Sequence, residues 1–253
     1  MRAVSGIQPV GRLSVESLDA HIQNLKSHDH STRESAAQAL HNVGAHAHSA
    51  VPALLEALLS EPDACPWVGT AIVTLQPTVG NIPKLREALH SANDHVRFWA
   101  ARAIVRLGPD ASPLIPDLIG LLCDPHHPVT DSVVWALGSI DREAIPPLID
   151  AANGEDLQLQ LRAILALGRY PEHIASKLPT ILNALDADDP EVRNCAARAI
   201  CSLAQSAHPN ATIHDDVSHA TLVDTVERII ADPSIDIEPD WPQRILGWLR
   251  GSA

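Results

Sequence analysis

A short phrase comes back five times along this chain, and no other feature restricts the fold as tightly. It reads VPALLEAL at 51–58, IPKLREAL at 82–89, IPDLIGLL at 115–122, IPPLIDAA at 145–152 and LPTILNAL at 178–185. Its prolines, Pro52, Pro83, Pro116, Pro146 and Pro179, follow one another at 31, 33, 30 and 33 residues. Proline belongs in the first turn of a helix, where its missing N–H has no intrahelical partner to lose. The apolar residues behind it fall at helical spacing, as in Leu54, Leu55 and Leu58. Each phrase therefore predicts the first helix of a repeated unit, with its proline in the opening turn. One such unit cannot bury its apolar face alone, so neighbouring units must stack.

A second phrase alternates with the first. It runs from Asp29 to Gly44, from Asn93 to Gly108 and from Asp189 to Ala204. All three copies keep Asp or Asn, an Arg four residues later, a pair of alanines and a closing Gly or Ala. The Asp or Asn predicts a helix N-cap, the alanines let helices approach closely, and the Gly predicts the helix end. Weaker copies run over 61–76, 124–138 and 153–168, with Cys65 and Leu157 in place of the Arg and the copy at 124–138 one residue short.

The two alternating phrases resemble the HEAT-repeat superfamily, in particular the short HEAT-like repeats of bacterial bilin-lyase-type proteins. The resemblance covers residues 15–204, and a period near 32 is shorter than the ~40–47 of longer HEAT repeats. It implies an all-α, right-handed α-solenoid of about seven stacked helix pairs, with the second helix of each pair on the inner, concave side. The expected organisation is a disordered lead-in over 1–14, six repeats over 15–204, a polar insertion over 205–218 and a C-terminal capping pair over 219–253. Deoxyhypusine hydroxylase, which is also HEAT-like, is excluded, because its His-Glu metal motifs have no counterpart here.

On the second helices the alanines and branched residues face the core, so the positions between them are expected to be exposed. That set holds Trp67, Phe98, Trp99, Arg102, Arg106, Arg162 and Arg198, with Trp135 on a related face. Trp67 and Trp99 occupy one slot in adjacent repeats, and Arg102, Arg162 and Arg198 share another. Trp and Arg couple apolar area to directional donors, which makes them the residues of binding hot spots. They are the expected partner-binding residues. Asp29 with Arg33, Asn93 with Arg97 and Asp189 with Arg193 are different: the resemblance implies a structural ladder of such pairs between neighbouring repeats.

Charge is unevenly placed. The chain has 253 residues and a formal charge of −13, from 18 Lys and Arg against 31 Asp and Glu. The acids gather in the turns inside the repeats, at Asp29, Glu61, Asp63, Asp94, Asp124, Glu155, Asp156, Asp186, Asp188 and Asp189, where they suit the positive ends of helices. Second helices of the six repeats carry seven arginines against three acids. An acidic rim around a mildly basic inner wall is expected, which disfavours nucleic acid.

No metal, cofactor or catalytic set is expected. His28 and His30 lie some 20 Å along one helix from His46 and His48, too far apart to share an ion. No nucleophile elbow, phosphate loop or catalytic triad occurs. Cys65, Cys123, Cys195 and Cys201 read as buried, unpaired thiols, which with the absence of a signal or membrane span suggests a cytoplasmic protein.

The leading reading is a non-catalytic scaffold or adaptor that holds a protein or peptide on the concave face. The bilin-lyase-type resemblance implies an alternative, a chromophore-handling subunit whose Arg102, Arg162 and Arg198 pair tetrapyrrole propionates. A third reading, a HEAT-like DNA-repair glycosylase, conflicts with the acidic total.

Overall fold

The structure is a computed structural model that describes residues 15–60, 66–169, 172–206, 216–238 and 240–250. Among the described residues there are fourteen α-helices and no strand. They alternate as first and second members of pairs. The pairs are α1 (Val15–Asn24) with α2 (His30–Val43), α3 (Val51–Ser60) with α4 (Pro66–Leu75), and α5 (Ile82–Leu89) with α6 (Asp94–Ile104). Next come α7 (Ile115–Gly120) with α8 (His127–Ile140), and α9 (Ile145–Ala152) with α10 (Leu157–Leu167). The last are α11 (Ile174–Leu185) with α12 (Pro190–Ser206) and α13 (Asp216–Ala231) with α14 (Asp240–Leu249).

Contacts divide the chain into two compact units, one reaching to Leu107 and one starting at Gly108. In the first unit, second helix packs on second helix, α2 on α4 and α4 on α6, while α3 packs on α5. In the second unit, α7 packs on α9, α9 on α11 and α10 on α12, and both α13 and α14 rest on α12. First helices packed on first helices and second on second are the arrangement of an all-α HEAT-like solenoid.

The paired alanines do what their spacing predicts. Ala36, Ala37, Ala100, Ala101, Ala196 and Ala197 are all buried, so the second helices turn their smallest side chains inward. Leu54, Leu58, Leu85, Leu118 and Ile181 are the buried apolar residues that the first helices contribute. The turn acids cap. Asp29 accepts from the Thr32 amide at 2.8 Å, Asp156 from Leu159 at 3.1 Å and Asp189 from Glu191 at 2.7 Å. Asn93 does the same for His95 at 2.8 Å. Hydrogen bonds from the Thr32 side chain and amide also hold the Asp29 carboxyl below the usual carboxylate range.

Several expectations need correction. Pro52, Pro83, Pro116 and Pro146 do sit in opening turns, but Pro179 lies inside α11, which starts earlier, at Ile174. The extra turn survives because Ala175, whose carbonyl has lost its partner to the proline, is exposed to water. Gly44 ends α2 with φ of 66°, as predicted, whereas α6 already stops at Ile104 and Gly108, at φ 59°, opens the short 3-10 segment that follows. Gly138 instead lies within α8, whose end is set by Asp141 at φ 68°. Helices α12 and α13 both extend into the segment expected as an insertion over 205–218, and 207–215 lie outside the described residues. The expected lead-in over 1–14 and Cys65 also lie outside them. The thiols are not uniformly buried: Cys201 is, Cys195 is half-buried and Cys123 is exposed, and all three are free.

Candidate functional site

In the second unit the second helices turn one row of side chains into a shared recess of ≈ 370 Å³. Trp135 of α8, Arg162 of α10 and Arg198 of α12 all line it, so three of the expected partner-binding residues come together. Each Arg precedes a buried alanine, Ala163 or Ala199, so the guanidinium leaves on the side away from the core. Two further residues complete the wall: Arg169, just past the end of α10, and Trp241, near the start of α14.

The geometry depends on Gly168. A Cβ there would fall 2.5 Å from the Ala199 Cα and 2.6 Å from its Cβ, so only glycine lets α10 approach the α12 backbone this closely. Arg169 follows Gly168 directly and lines the recess together with Arg198. The Arg169 guanidinium lies 5.6 Å from the Trp135 ring centre, at cation–π distance, and Trp135 keeps 51% of its surface exposed. Arg162 and Arg198 act on common ground as well. Burial pushes the half-buried Cys195 thiol up, while both arginines pull it down, which places their charges around one point of α12. Asp131 is the acid in this wall, and Ser202 and Gln205 add neutral hydrogen-bonding groups.

The remaining expected residues lie in the first unit and behave differently. Trp67, Phe98 and Trp99 are half-buried rather than exposed. The Trp67 ring sits 5.4 Å from His41 of α2, and the Trp99 indole covers Gly69 of α4 so closely that a Cβ there would overlap it. Both tryptophans therefore fill gaps between successive second helices. Phe98 meets Trp99 edge to face at 5.0 Å, and Arg102 lies over Phe98 at 5.6 Å. Arg106 is exposed.

The six residues expected as a ladder make a common set of bonds within each repeat. Arg33 Nη1 donates to the Ser27 carbonyl at 2.7 Å, Arg97 Nη1 to Ser91 at 2.9 Å and Arg193 Nη1 to Ala187 at 2.8 Å. The acceptor is six residues back in every case, at the carbonyl end of the preceding helix. Asp29, Asn93 and Asp189 meanwhile cap the helix that carries the Arg. These bonds fasten the second helix of a pair to the turn that precedes it. A tie to the following pair exists at Arg193, whose charge helps hold the Asp232 carboxyl below its usual range, after the larger effect of the Ser234 hydrogen bonds.

A second, much smaller cavity of ≈ 30 Å³ lies where α8, α9, α10 and α11 meet. Lys177 of α11 lines it and is only 4% exposed. Burial lowers its pKa to about 8, against the opposing pull of Glu172 and Asp141. His173 Nε2 stands 3.0 Å from Asp141 Oδ1 at the cavity's edge, and both residues have positive φ. Among the described residues no three His, Cys, Asp or Glu side chains converge as metal ligands would. No helix among them is long and apolar enough to cross a membrane.

Arg169 and Trp241 are the site residues that repeat reasoning passes over. Arg169 lies one residue beyond the phrase ending at Gly168, and Trp241 stands in a pair that has lost the phrase altogether.

Comparison with known families and structures follows the same lines. The model described as HEAT repeats matches residues 82–157, the HEAT repeat model matches 178–207, and the PBS lyase HEAT-like repeat model matches 32–60. No curated protein matches the sequence. Among solved structures, the complex of CpcE and CpcF of phycocyanin lyase from Nostoc sp. PCC7120 is similar at 21% identity, covering 100% of both chains with a TM-score of 0.48. A designed armadillo repeat protein shares 18% identity over 92% of this chain and 99% of its own, with a TM-score of 0.37. A Kap121p mutant shares 15% identity over 92% of this chain and 29% of its own, with a TM-score of 0.47. Repeat phrases, paired helices and three matching models of one repeat class agree: the chain belongs to the HEAT-repeat superfamily.

Proposed function

We propose that this chain is a non-catalytic binding module that captures an acidic segment of a partner protein in the recess of its second unit. The observation that carries the reading is the convergence of Arg162, Arg169 and Arg198 on one recess, against the single acid Asp131. Arginine presents a planar fork of donors that matches carboxylates in pairs, and in a recess that fork is less screened than on open surface. The rim works in the opposite sense. Asp124, Asp156, Asp186, Asp188 and Asp189 stand in the turns of the same unit, so a long polyanion such as nucleic acid meets repulsion at the edge. A short acidic stretch reaches the arginines without lying along that edge. Nothing in the recess asks for a reaction: its cations are arginines, which stay protonated and do not exchange protons with a substrate.

Selection of peptides from an unbiased displayed library on the purified protein tests the reading. Peptides rich in Asp and Glu should be enriched, and the variant Arg162→Glu/Arg198→Glu should lose them while melting within a few degrees of the parent. Enrichment of neutral or basic peptides, or retention by the variant, contradicts it.

One second reading uses the same arginines. Open-chain tetrapyrroles carry paired propionates that Arg162 and Arg198 would hold, with Trp135 against the ring system. A red shift and gain in visible absorbance on mixing a bilin with the protein would favour that reading over a protein partner. An unchanged spectrum removes it.

A further inference from the structure

The arginines account for half of the recess. The other half is aromatic, and it comes from two places that the repeat pattern does not connect. Trp135, on α8, keeps 51% of its surface open, whereas Val129, Val133, Leu137 and Ile140 of the same helix are buried. Trp241, on α14, lines the same recess from the C-terminal pair. An indole this exposed forgoes the hydrophobic stabilisation that burial secures for the other apolar side chains. Arg169 lies over the Trp135 ring at 5.6 Å, which covers part of it and at the same time holds the guanidinium in place for a ligand. The recess thus sets oriented cations beside uncovered aromatic surface.

From this juxtaposition we infer that the occupant is a composite segment, in which a bulky apolar side chain stands next to the acidic residues. The inference rests on the reading of the recess as a site for an acidic protein segment, and narrows it. The apolar side chain lies between Trp135 and Trp241, while neighbouring carboxylates meet Arg162 and Arg198. Charge alone does not fill the site, because a run of carboxylates would set charged groups against two indoles and leave the aromatic area in water. The C-terminal helix pair is then more than a cap. It supplies one wall of the site, and polar ties hold that wall in place: Arg228 of α13 pairs with Asp186, and the Asp236 amide donates to Asn194 Oδ1 at 2.8 Å.

Three fluorescein-labelled peptides of equal length separate the possibilities by anisotropy titration against the full chain. One places a Trp or Leu between Glu residues, the second replaces that apolar residue with Ala, and the third keeps it but replaces Glu with Gln. The composite peptide should bind at least about tenfold more tightly than either of the others, each lost part costing on the order of a hot-spot contact. Trp241→Ala should weaken the composite peptide several-fold more than it weakens the Ala-containing acidic peptide, with the helical circular dichroism of the parent. Equal binding of the composite and the Ala-containing peptide, with loss of both on Arg162→Glu/Arg198→Glu, overturns the inference and leaves the acidic-segment reading standing. Equal binding of the Gln-containing peptide, or no binding of any, removes the reading as well.

Discussion

Arg97 illustrates how much of this protein is held by single side chains returning to their own backbone. Its guanidinium donates to the Ser91 carbonyl at 2.9 Å and the Ala92 carbonyl at 3.0 Å, closing the turn between α5 and α6. A charged donor to orphan carbonyls contributes about 1–2 kcal/mol. Arg97→Ala should therefore lower the melting temperature by several degrees and leave peptide affinity of the second unit unchanged, as thermal melts and titrations would show. Lys177 acts in the other sense. Its pKa falls from 10.5 to about 8, so below pH 8 folding buries a charge that the unfolded chain keeps in water. That cost fades as pH rises from 8 toward 10.5, because above 10.5 the amine is neutral in both states. Lys177→Met should stabilise the protein at pH 7 by up to about 3 kcal/mol, with the gain shrinking toward pH 10.5, measured by denaturant titration across that range. A gain that is constant with pH would show that packing, and not the ammonium, sets the effect. The caps and the Arg phrase could be read from the sequence because each acts within a few residues of itself. The buried ammonium could not, since its burial depends on how α8, α9 and α10 close over its own helix, α11.

Helices were legible where a local signal opens them, as at Pro52, Pro83, Asn93 and Asp189. They were less so where neighbours decide, as in the extra turn of α11 before Pro179. The same difference explains the tryptophans. Repeat alignment pairs Ala163 with Ala199, yet in the structure it is Gly168 that meets Ala199. Slot equivalence gives the face of a helix, while the register between neighbouring helices follows from where backbones come closest. Hence Trp67 and Trp99, aligned as one surface patch, each pack into the preceding second helix, and Arg169 enters the site unannounced. Gly168→Ala tests this directly. The new methyl would meet Ala199 backbone, which has no rotamer to yield, so α10 and α12 must separate at a cost of about 1–3 kcal/mol or more. Both the melting temperature and affinity for the composite peptide should fall. An unchanged affinity in a destabilised variant would show that the recess does not depend on this crossing.

For the chain as a whole, −13 is an average over surfaces that act differently. Asp29, Asp156 and Asp189 cap helices, while Arg162, Arg169 and Arg198 line the recess. Binding through such a wall should weaken with salt, because exposed charges are screened over about 8–10 Å at ordinary ionic strength. Affinity for the composite peptide should drop several-fold between 50 mM and 300 mM NaCl without vanishing, since the Trp135 and Trp241 contacts are not screened; complete insensitivity would remove the arginines from the account. The most direct measurement is a charge exchange. The parent and Arg162→Glu/Arg198→Glu are each titrated with the composite peptide and with its counterpart carrying Lys in place of Glu. The account predicts an inverted preference: the parent takes the Glu peptide, and the variant takes the Lys peptide, with the apolar residue required by both. If the two proteins rank the peptides in the same order, Arg162 and Arg198 do not form the binding site.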